Sequence, residues 1–537
     1  MNHPRAQRAT TWTLLALSVP LALWRLHPPA VDSRGFSTAN AMAHLRIIAA
    51  EPHPAGSERQ VLVRQYLIAQ LESFGYQVQT QPSRQKVLRR RSGYENEVAL
   101  VNVMARRSRS AQTNRAVMLV AHYDSVPGAP GAGDDGAAVA ALLEAARILA
   151  HQPLRNDLII LFTDAEEFGL LGARVFVREH PWANDVAVAL NFEGRGSSGP
   201  SIMFQTTAGN GWLIDLLARV APHPVCSSFT FDVYRRLPND TDFTIFQSLT
   251  QMQGMNFAFI DDWANYHRST DDIQRLDPDS MRHHGLQALA LGRALAAMDL
   301  THLPRTQDAV YFDVLSLAVV RYPMHWALPL AIALGIATAI VLVGAVRRGP
   351  IRVRGVLVGL GMILINILLA VAVSWGIVKL THNLRLERLA DATIAGYTLL
   401  AMLTAAGVRR IFRRASAAEI NSAALIVWTI LNFVCVMLAP GGSYLTTWPT
   451  LLAALSLATQ TLPPARCWPR SCWLLSMLAS VLIVLLLSPA IYIAFLGLTL
   501  RMAHLMVVPI LLGLWLLPPG SMPRVHQVAP AGKQREL

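Results

Sequence analysis

Charge is scarce in this sequence. Only 15% of its 537 residues are charged and 53% are hydrophobic, a poor balance for a wholly soluble chain. Acids are the scarcer sign: 34 Asp and Glu stand against 47 Lys and Arg, for a formal net charge of +13. The acids gather in the middle third, and the C-terminal part is apolar runs with arginine between them. Basicity of this kind can serve nucleic acid. Arginines in short loops between membrane spans account for it better, so no nucleic-acid partner is expected. Cysteine is also scarce: Cys226, Cys435, Cys467 and Cys472. Only Cys226 lies in the segment expected to be soluble, which excludes an internal disulfide there. Cys467 and Cys472 lack CxxC spacing, which excludes a zinc ribbon. The apolar runs carry almost no acid at depth, so an ion or proton pathway has little support.

What is present begins with a membrane signal. Met1–Arg8 is short and basic, and Ala9–Leu26 is nearly all apolar. This reads as a signal anchor left uncleaved, because Pro28-Pro29-Ala30 is a poor cleavage site. The basic flank should stay in the cytoplasm, and the chain beyond the anchor should be exported. Further apolar runs, each near the roughly 20 residues a span needs, occupy Met324–Val346, Val353–Val378, Ala392–Val408, Ala418–Leu438, Tyr444–Leu462, Cys472–Leu498 and Leu505–Leu517. If the anchor leads out, the inner loops carry Arg347, Arg348, Arg352 and Arg354, then Arg409, Arg410, Arg413 and Arg414, then Arg466 and Arg470. The outer loop Ala439–Ser443 is uncharged, while Lys379, Arg385 and Arg388 mildly break the pattern. The expected organisation is a tip and anchor over 1–30, a soluble domain over 31–305, and a linker over 306–323. About seven spans over 324–518 and a cytoplasmic tail over 519–537 complete it. The bilayer is therefore an expected partner, in the inner membrane with the soluble domain on the periplasmic side.

Within the soluble part, Ala39–Ile48 and Val61–Phe74 have helical spacing, and Tyr76–Gln81 alternates like a strand. Arg84–Arg91 reads as a solvated basic hairpin. Strands are expected at Glu97–Ala105, Ala116–Ala121, Asp157–Thr163 and Val186–Phe192. Helices are expected at Ala137–Ala150, Gly169–Glu179 and Pro278–Leu300, and Asp308–Tyr322 reads as a connecting segment. This alternation predicts an α/β domain with a mixed, largely parallel central sheet and helices on both faces. Ligands of such sheets bind at strand carboxyl ends.

The chemistry-bearing residues sit at those ends. His122 follows a buried strand with Asp124 two residues on; alone, such a pair is more often a satisfied core histidine. Asp134 lies in a glycine-rich turn before a helix, where an N-cap is the ordinary reading. Glu166 and Glu167 end another strand, and adjacent carboxylates there need cations or a helix N-terminus. Glu193 ends the next strand, and His267 alone would be a loop histidine.

Order and spacing change these readings. His122-Tyr-Asp124, Gly-Ala-Gly-Asp134-Asp-Gly, Glu166-Glu167-Phe-Gly-Leu-Leu-Gly, Asn-Phe-Glu193 and Tyr266-His267-x-x-x-Asp271 together resemble the zinc aminopeptidases of metallopeptidase family 28. The resemblance covers about Phe36–Leu300. The opening Ala-His-Leu-x-x-Ile-Ala-x-x-Pro-His-Pro-Ala-Gly-Ser, the piece Pro238–Phe243 and the multi-span tail are similar to the membrane-anchored branch that includes the endoplasmic reticulum metallopeptidase and its vacuolar relatives.

The resemblance implies two zinc ions bridged by Asp134. His122 and Glu193 would complete one set of ligands, and Glu167 and His267 the other. Glu166 would be the general base of a water-mediated hydrolysis, Asp124 would orient His122, and Tyr266 could donate to the oxyanion. The chain departs from the pattern in having Glu193 where many soluble members have aspartate, and Ala137-Ala138 in place of Ser-Gly. The expected activity is aminopeptidase hydrolysis of peptides outside the cytoplasm. The alternatives are glutaminyl cyclase chemistry, which needs only one zinc, and a catalytically inactive ectodomain used for binding.

Overall fold

The alternating apolar segments take up their expected forms in a computed structural model. It describes residues 4–28, 30, 35–88, 95–108, 115–381, 389–413, 415–461, 469–498 and 504–517. Arg89–Arg91, Arg385, Arg388, Arg414, Arg466, Cys467 and the tail 519–537 fall outside the described residues.

After helix α1 (Pro4–Trp24) come α2 (Thr38–Ile48) and α3 (Glu58–Ser73). Each of the latter two starts at a serine whose hydroxyl accepts a first-turn amide: Ser37 from Asn40 and Ser57 from Gln60. Strands β1 (Gln77–Leu88) and β2 (Glu95–Arg107) form an antiparallel hairpin, on which exposed Arg84 pairs with exposed Glu97. Next in the chain are β3 (Ala116–His122), α4 (Ala137–Leu149), β4 (Asp157–Thr163), α5 (Leu171–Glu179) and β5 (Val186–Gly194). The domain continues through β6 (Ile202–Thr206), α6 (Gly211–Val220), β7 (Val225–Cys226), α7 (Ser228–Tyr234), α8 (Asp242–Leu249), β8 (Gln253–Phe259) and α9 (Pro278–Ala297).

The strands make one eight-stranded mixed sheet in the order β1-β2-β4-β3-β5-β8-β6-β7. Its centre, β4-β3-β5-β8, is parallel; β2 against β4 and β6 against β8 are antiparallel. Every residue of β3, β4 and β5 is buried. This explains their unbroken apolar runs: both faces are covered, so no polar face is needed. The two-residue period sorts the core. Val117, Leu119 and Ala121 pack with α4 and α9, while Met118 and Val120 pack with α5 and α8 on the opposite face.

The segment read as a connector is a hairpin, β9 (Ala309–Val314) and β10 (Ala318–Pro323). Its β9 opens with four buried residues, Ala309–Phe312, and docks on the start of α7. Ser228 Oγ donates to the Tyr311 carbonyl and accepts from the Tyr311 amide, at 3.0 Å each. Phe312 stacks on Tyr444 with ring centres 4.3 Å apart, so the hairpin ties the sheet domain to the helices beyond.

Those helices are α10 (Ala327–Arg347), α11 (Val353–Thr381), α12 (Ala390–Ile411), α13 (Ala417–Leu438), α14 (Tyr444–Thr461), α15 (Pro469–Leu498) and α16 (Val507–Leu516). Five helical stretches among the described residues are long and apolar enough to cross a membrane: Met324–Arg347, Val353–Thr381, Ala390–Ile411, Ala417–Leu438 and Ser471–Leu498. The other expected spans differ. Helix α14 carries several threonines and Pro449, α16 has 10 residues, and the apolar part of α1 is Ala9–Trp24. The chain is an integral membrane protein with a separate α/β domain.

Candidate metal centre

Three neighbouring parallel strands end at one edge of the sheet. In register, His122 lies opposite Thr163, and Val120 opposite Asn191. The carboxyl ends of β3, β4 and β5 therefore deliver His122, Glu166 with Glu167, and Glu193 to a common place. Asp134 comes in on the loop after β3. That loop crosses the end of β5 so closely that a Cβ on Gly133 would overlap the Gly196 carbonyl oxygen, and one on Gly194 would overlap the Gly133 carbonyl oxygen. His267 arrives from the loop after β8, in a left-handed conformation at φ 59°; Ala165 holds φ 55° just before Glu166. Such conformations cost a non-glycine residue about 1 kcal/mol or more, and here both flank the site.

The five expected ligands meet. Asp134 Oδ1 lies 3.1 Å from His122 Nε2, which is also 3.7 Å from Glu193 Oε2. Asp134 Oδ2 lies 3.0 Å from His267 Nε2, which is 3.0 Å from Glu167 Oε1. One carboxylate thus faces two clusters, one oxygen to each. Ligand atoms of His122, Asp134 and Glu167 lie within 4.8 Å of one another, as do those of His122, Asp135 and Glu193. Asp124 takes the amide hydrogens of Glu166 (3.0 Å) and Glu167 (3.3 Å) on its two oxygens. Its Oδ1 is 3.5 Å from His122 Nδ1, whose nearer acceptor is the Asp124 carbonyl oxygen at 3.0 Å. Tyr266 stacks on His267 at 3.8 Å between ring centres.

Several residues that motif reading gave no role also shape the site. Asp271 accepts the amide hydrogens of Gly133 at 2.6 Å and Asp134 at 3.1 Å, and so carries the glycine loop. Asn191, on the same face of β5 as Glu193, donates to Glu193 Oε1 at 2.9 Å. His284 of α9, which burial pulls down to about 4, lies with Nε2 2.9 Å from the Glu193 carbonyl oxygen. Asp135 accepts the His122 amide at 3.2 Å. The period-2 spacing of Asn191 and Glu193 is the one signal of these in the sequence; the others depend on distant segments folding back.

Electrostatics point to missing positive charge. Burial pushes Glu193 up to about 8, and burial with Asp134 nearby pushes Glu167 up to about 7. Burial also holds Glu166 and Asp135 well above the carboxylate range. Burial pulls on the histidines in the other direction and loses: Asp124 and Asp134 hold His122 well above its usual value, and Asp134 and Glu167 bring His267 to about 10. Burial would raise Asp134 too, but His122 and His267 hold it well below the usual range. Among the described residues, Asp135 Oδ1 has no hydrogen-bond partner, and Glu167 Oε1 meets His267 without hydrogen-bonding geometry. Buried carboxylates in excess of cations, converging with imidazole nitrogens, fit divalent metal; the N and O donor set suits zinc.

Asp134, Glu166, Glu193 and Tyr266 line a cavity of about 280 Å³. Its far wall includes Phe229 and Tyr234 of α7 and Ile493, Ala494 and Gly497 of α15.

Residues 102–292 match the family model described as Peptidase family M28. Endoplasmic reticulum metallopeptidase 1 of Rattus norvegicus is 31% identical over 349 residues, 60% of this chain and 38% of that protein. The vacuolar membrane protease of Schizophyllum commune is 28% identical over 333 residues, 59% of this chain and 37% of that protein. The match covers well under half the length of either relative. Among solved structures, an aminopeptidase from Aneurinibacillus sp. strain AM-1 aligns with a TM-score of 0.41 at 14% identity, over 51% of this chain and 98% of its own. The segment 102–292, which holds His122, Asp134, Glu166, Glu167, Glu193 and His267, is thus similar to peptidase family M28.

Proposed function

We propose that the chain is a membrane-anchored exopeptidase that holds two zinc ions and removes N-terminal residues from peptides on the outer side of the cytoplasmic membrane. The observation that carries this reading is Asp134, with one carboxylate oxygen toward His122 and Glu193 and the other toward His267 and Glu167. In this reading 31–305 is the peptidase domain, 306–323 its connection and 324–518 the membrane part, with the basic loops inside.

His122, Asp134 and Glu193 would hold one zinc, and Asp134, Glu167 and His267 the other. Bound zinc supplies Lewis-acid polarisation of the scissile carbonyl and lowers the pKa of water. Glu166 moves the proton: its carboxylate takes one from the attacking water and returns it to the nitrogen of the leaving amine. Asp124 holds the Glu166 and Glu167 backbone and faces His122 Nδ1, fixing which ring nitrogen points to metal. Burial raises the Tyr266 hydroxyl, so it stays protonated and can donate to the carbonyl oxygen as charge develops.

The test is Glu166→Gln. Peptide hydrolysis should fall by about 10²–10⁴-fold, the usual contribution of a general base, while zinc content stays that of the parent protein. A variant of undiminished activity would remove Glu166 from this role.

A further inference from the structure

A second, larger cavity of about 760 Å³ adjoins the candidate metal centre on its membrane side. Its walls come from α1, α12, α15 and α16, together with the loops at Ser198–Pro200 and Ile260–Asp261. Ile202, Ile260 and Ile493 line both cavities, so the two share a wall. Along α15 the larger one runs from Ile483 to Leu496, about 20 Å of helix. Most of its lining is aliphatic. Val19, Leu399 and Met402 line it and are also exposed, so it opens sideways at helices read as membrane-spanning. Its polar end is acidic: Asp261, Asp277 and Asp391 line it, and Tyr492 Oη lies 3.0 Å from Asp261 Oδ2 and 2.9 Å from Asp391 Oδ1.

We infer that this chamber receives the apolar residues of the peptide being cut, entering sideways from the bilayer while its N-terminus reaches Asp134 and Glu166. The substrates of the site are then hydrophobic, membrane-resident peptides with a free N-terminus on the outer side. This rests on the exopeptidase reading above and adds the substrate class.

Two features select a peptide over a phospholipid. The chamber shares the wall of Ile202, Ile260 and Ile493 with the cavity that holds the metal-ligand cluster, so its occupant lies beside that cluster. Its rim carries three aspartates, and no lysine or arginine is among its described lining residues. A phosphate head would meet like charge from these three carboxylates, whereas peptide amides and ammonium groups are compatible with them. The volume lies in the range of small-molecule and peptide side-chain pockets.

The test uses the full-length, zinc-loaded protein in lipid nanodiscs. Three probes share the same N-terminal leucine: a short leucyl-arylamide, a peptide with an apolar tail, and one of equal length with a serine-glycine tail. The apolar-tailed peptide should exceed the polar-tailed one in kcat/KM by about tenfold or more, the effect of one or two buried methylenes. Ala395→Phe and, separately, Gly513→Leu should narrow the chamber; a Cβ at Gly513 meets only Leu487 Cδ1, at 3.4 Å. Each should collapse the ratio of apolar-tailed peptide to arylamide by a similar factor. Equal handling of both tails by the parent protein overturns the inference. So does an unchanged ratio in both variants, including the case where a co-purifying phospholipid is lost from them. If no probe is hydrolysed, it is the exopeptidase reading that fails. The chamber is then judged by photo-crosslinking the apolar peptide in Glu166→Gln, where labelling outside α1, α12, α15 and α16 refutes it.

Discussion

Gly133→Ala tests how tightly the site depends on one close approach. The glycine loop passes the end of β5 with no room for a side chain at 133: the new methyl would overlap the Gly196 carbonyl oxygen and crowd Asp271 Oδ1 at 2.9 Å. Neither neighbour can yield freely. The residue-196 backbone sits against Asp261, and Asp271 is held by the amides of Gly133 and Asp134. Relief therefore needs the loop to move on the order of 1 Å, and Asp134, the next residue, moves with it. A misplacement of that size at a reacting centre costs about 10²-fold, or about 2.7 kcal/mol of barrier. Overpacking adds about 1–3 kcal/mol of lost stability. The assay is kcat/KM on an aminoacyl substrate with zinc content and a thermal melt measured on the same sample. Gly361→Ala is the control, because nothing lies within 4 Å of a Cβ there. If Gly133→Ala keeps activity and zinc at the level of Gly361→Ala, the argued rigidity of the loop is wrong.

The zinc-stripped protein should lose stability as pH rises from about 4.5 to about 8. Glu167 and Glu193 sit at about 7 and about 8 in the folded chain, against about 4.3 when unfolded. Between those limits the unfolded state has released protons that the native state keeps, so the stability present below the unfolded value is lost through the folded ones. Thermal melts of chelated protein across that range should show a falling midpoint that added zinc restores; a rising midpoint contradicts the burial argument. For topology, a reporter active only in the periplasm, fused after Leu303, should work, and one active only in the cytoplasm should be silent. The opposite pattern would invert the membrane orientation.

Much of the fold is legible because burial leaves periodic marks. Val117 to Ala121 and Leu158 to Phe162 are apolar at every position, as strands covered on both faces require. Ser37 and Ser57 announce their helices. Strands β6 and β8 escape a reading of the sequence: Gln253–Phe259 mixes glycine, asparagine and apolar residues, and only its neighbours β5 and β6 make it a strand. The hairpin β9–β10 reads as a connector for a similar reason, since its docking partners lie at Ser227, Ser228 and Tyr444.

The sequence by itself determined the residue types and their order: His122, Asp134, the Glu166-Glu167 pair, Glu193 and His267, each after an apolar run or in a recognisable turn. Chemistry is local in this sense, because a ligand's identity and the strand that carries it are written in a few adjacent residues. Tertiary structure alone decided that Asp134 turns one oxygen to each cluster, that Asp271 carries the loop beneath it, and that α15 walls the cavity. Most of those relations join segments more than a hundred residues apart: Asp134 with His267, Gly133 with Asp271, and the sheet domain with α15. Which of them meet is set by how the sheet, its helices and the membrane bundle close around one core, and nearest-neighbour patterning holds no record of that.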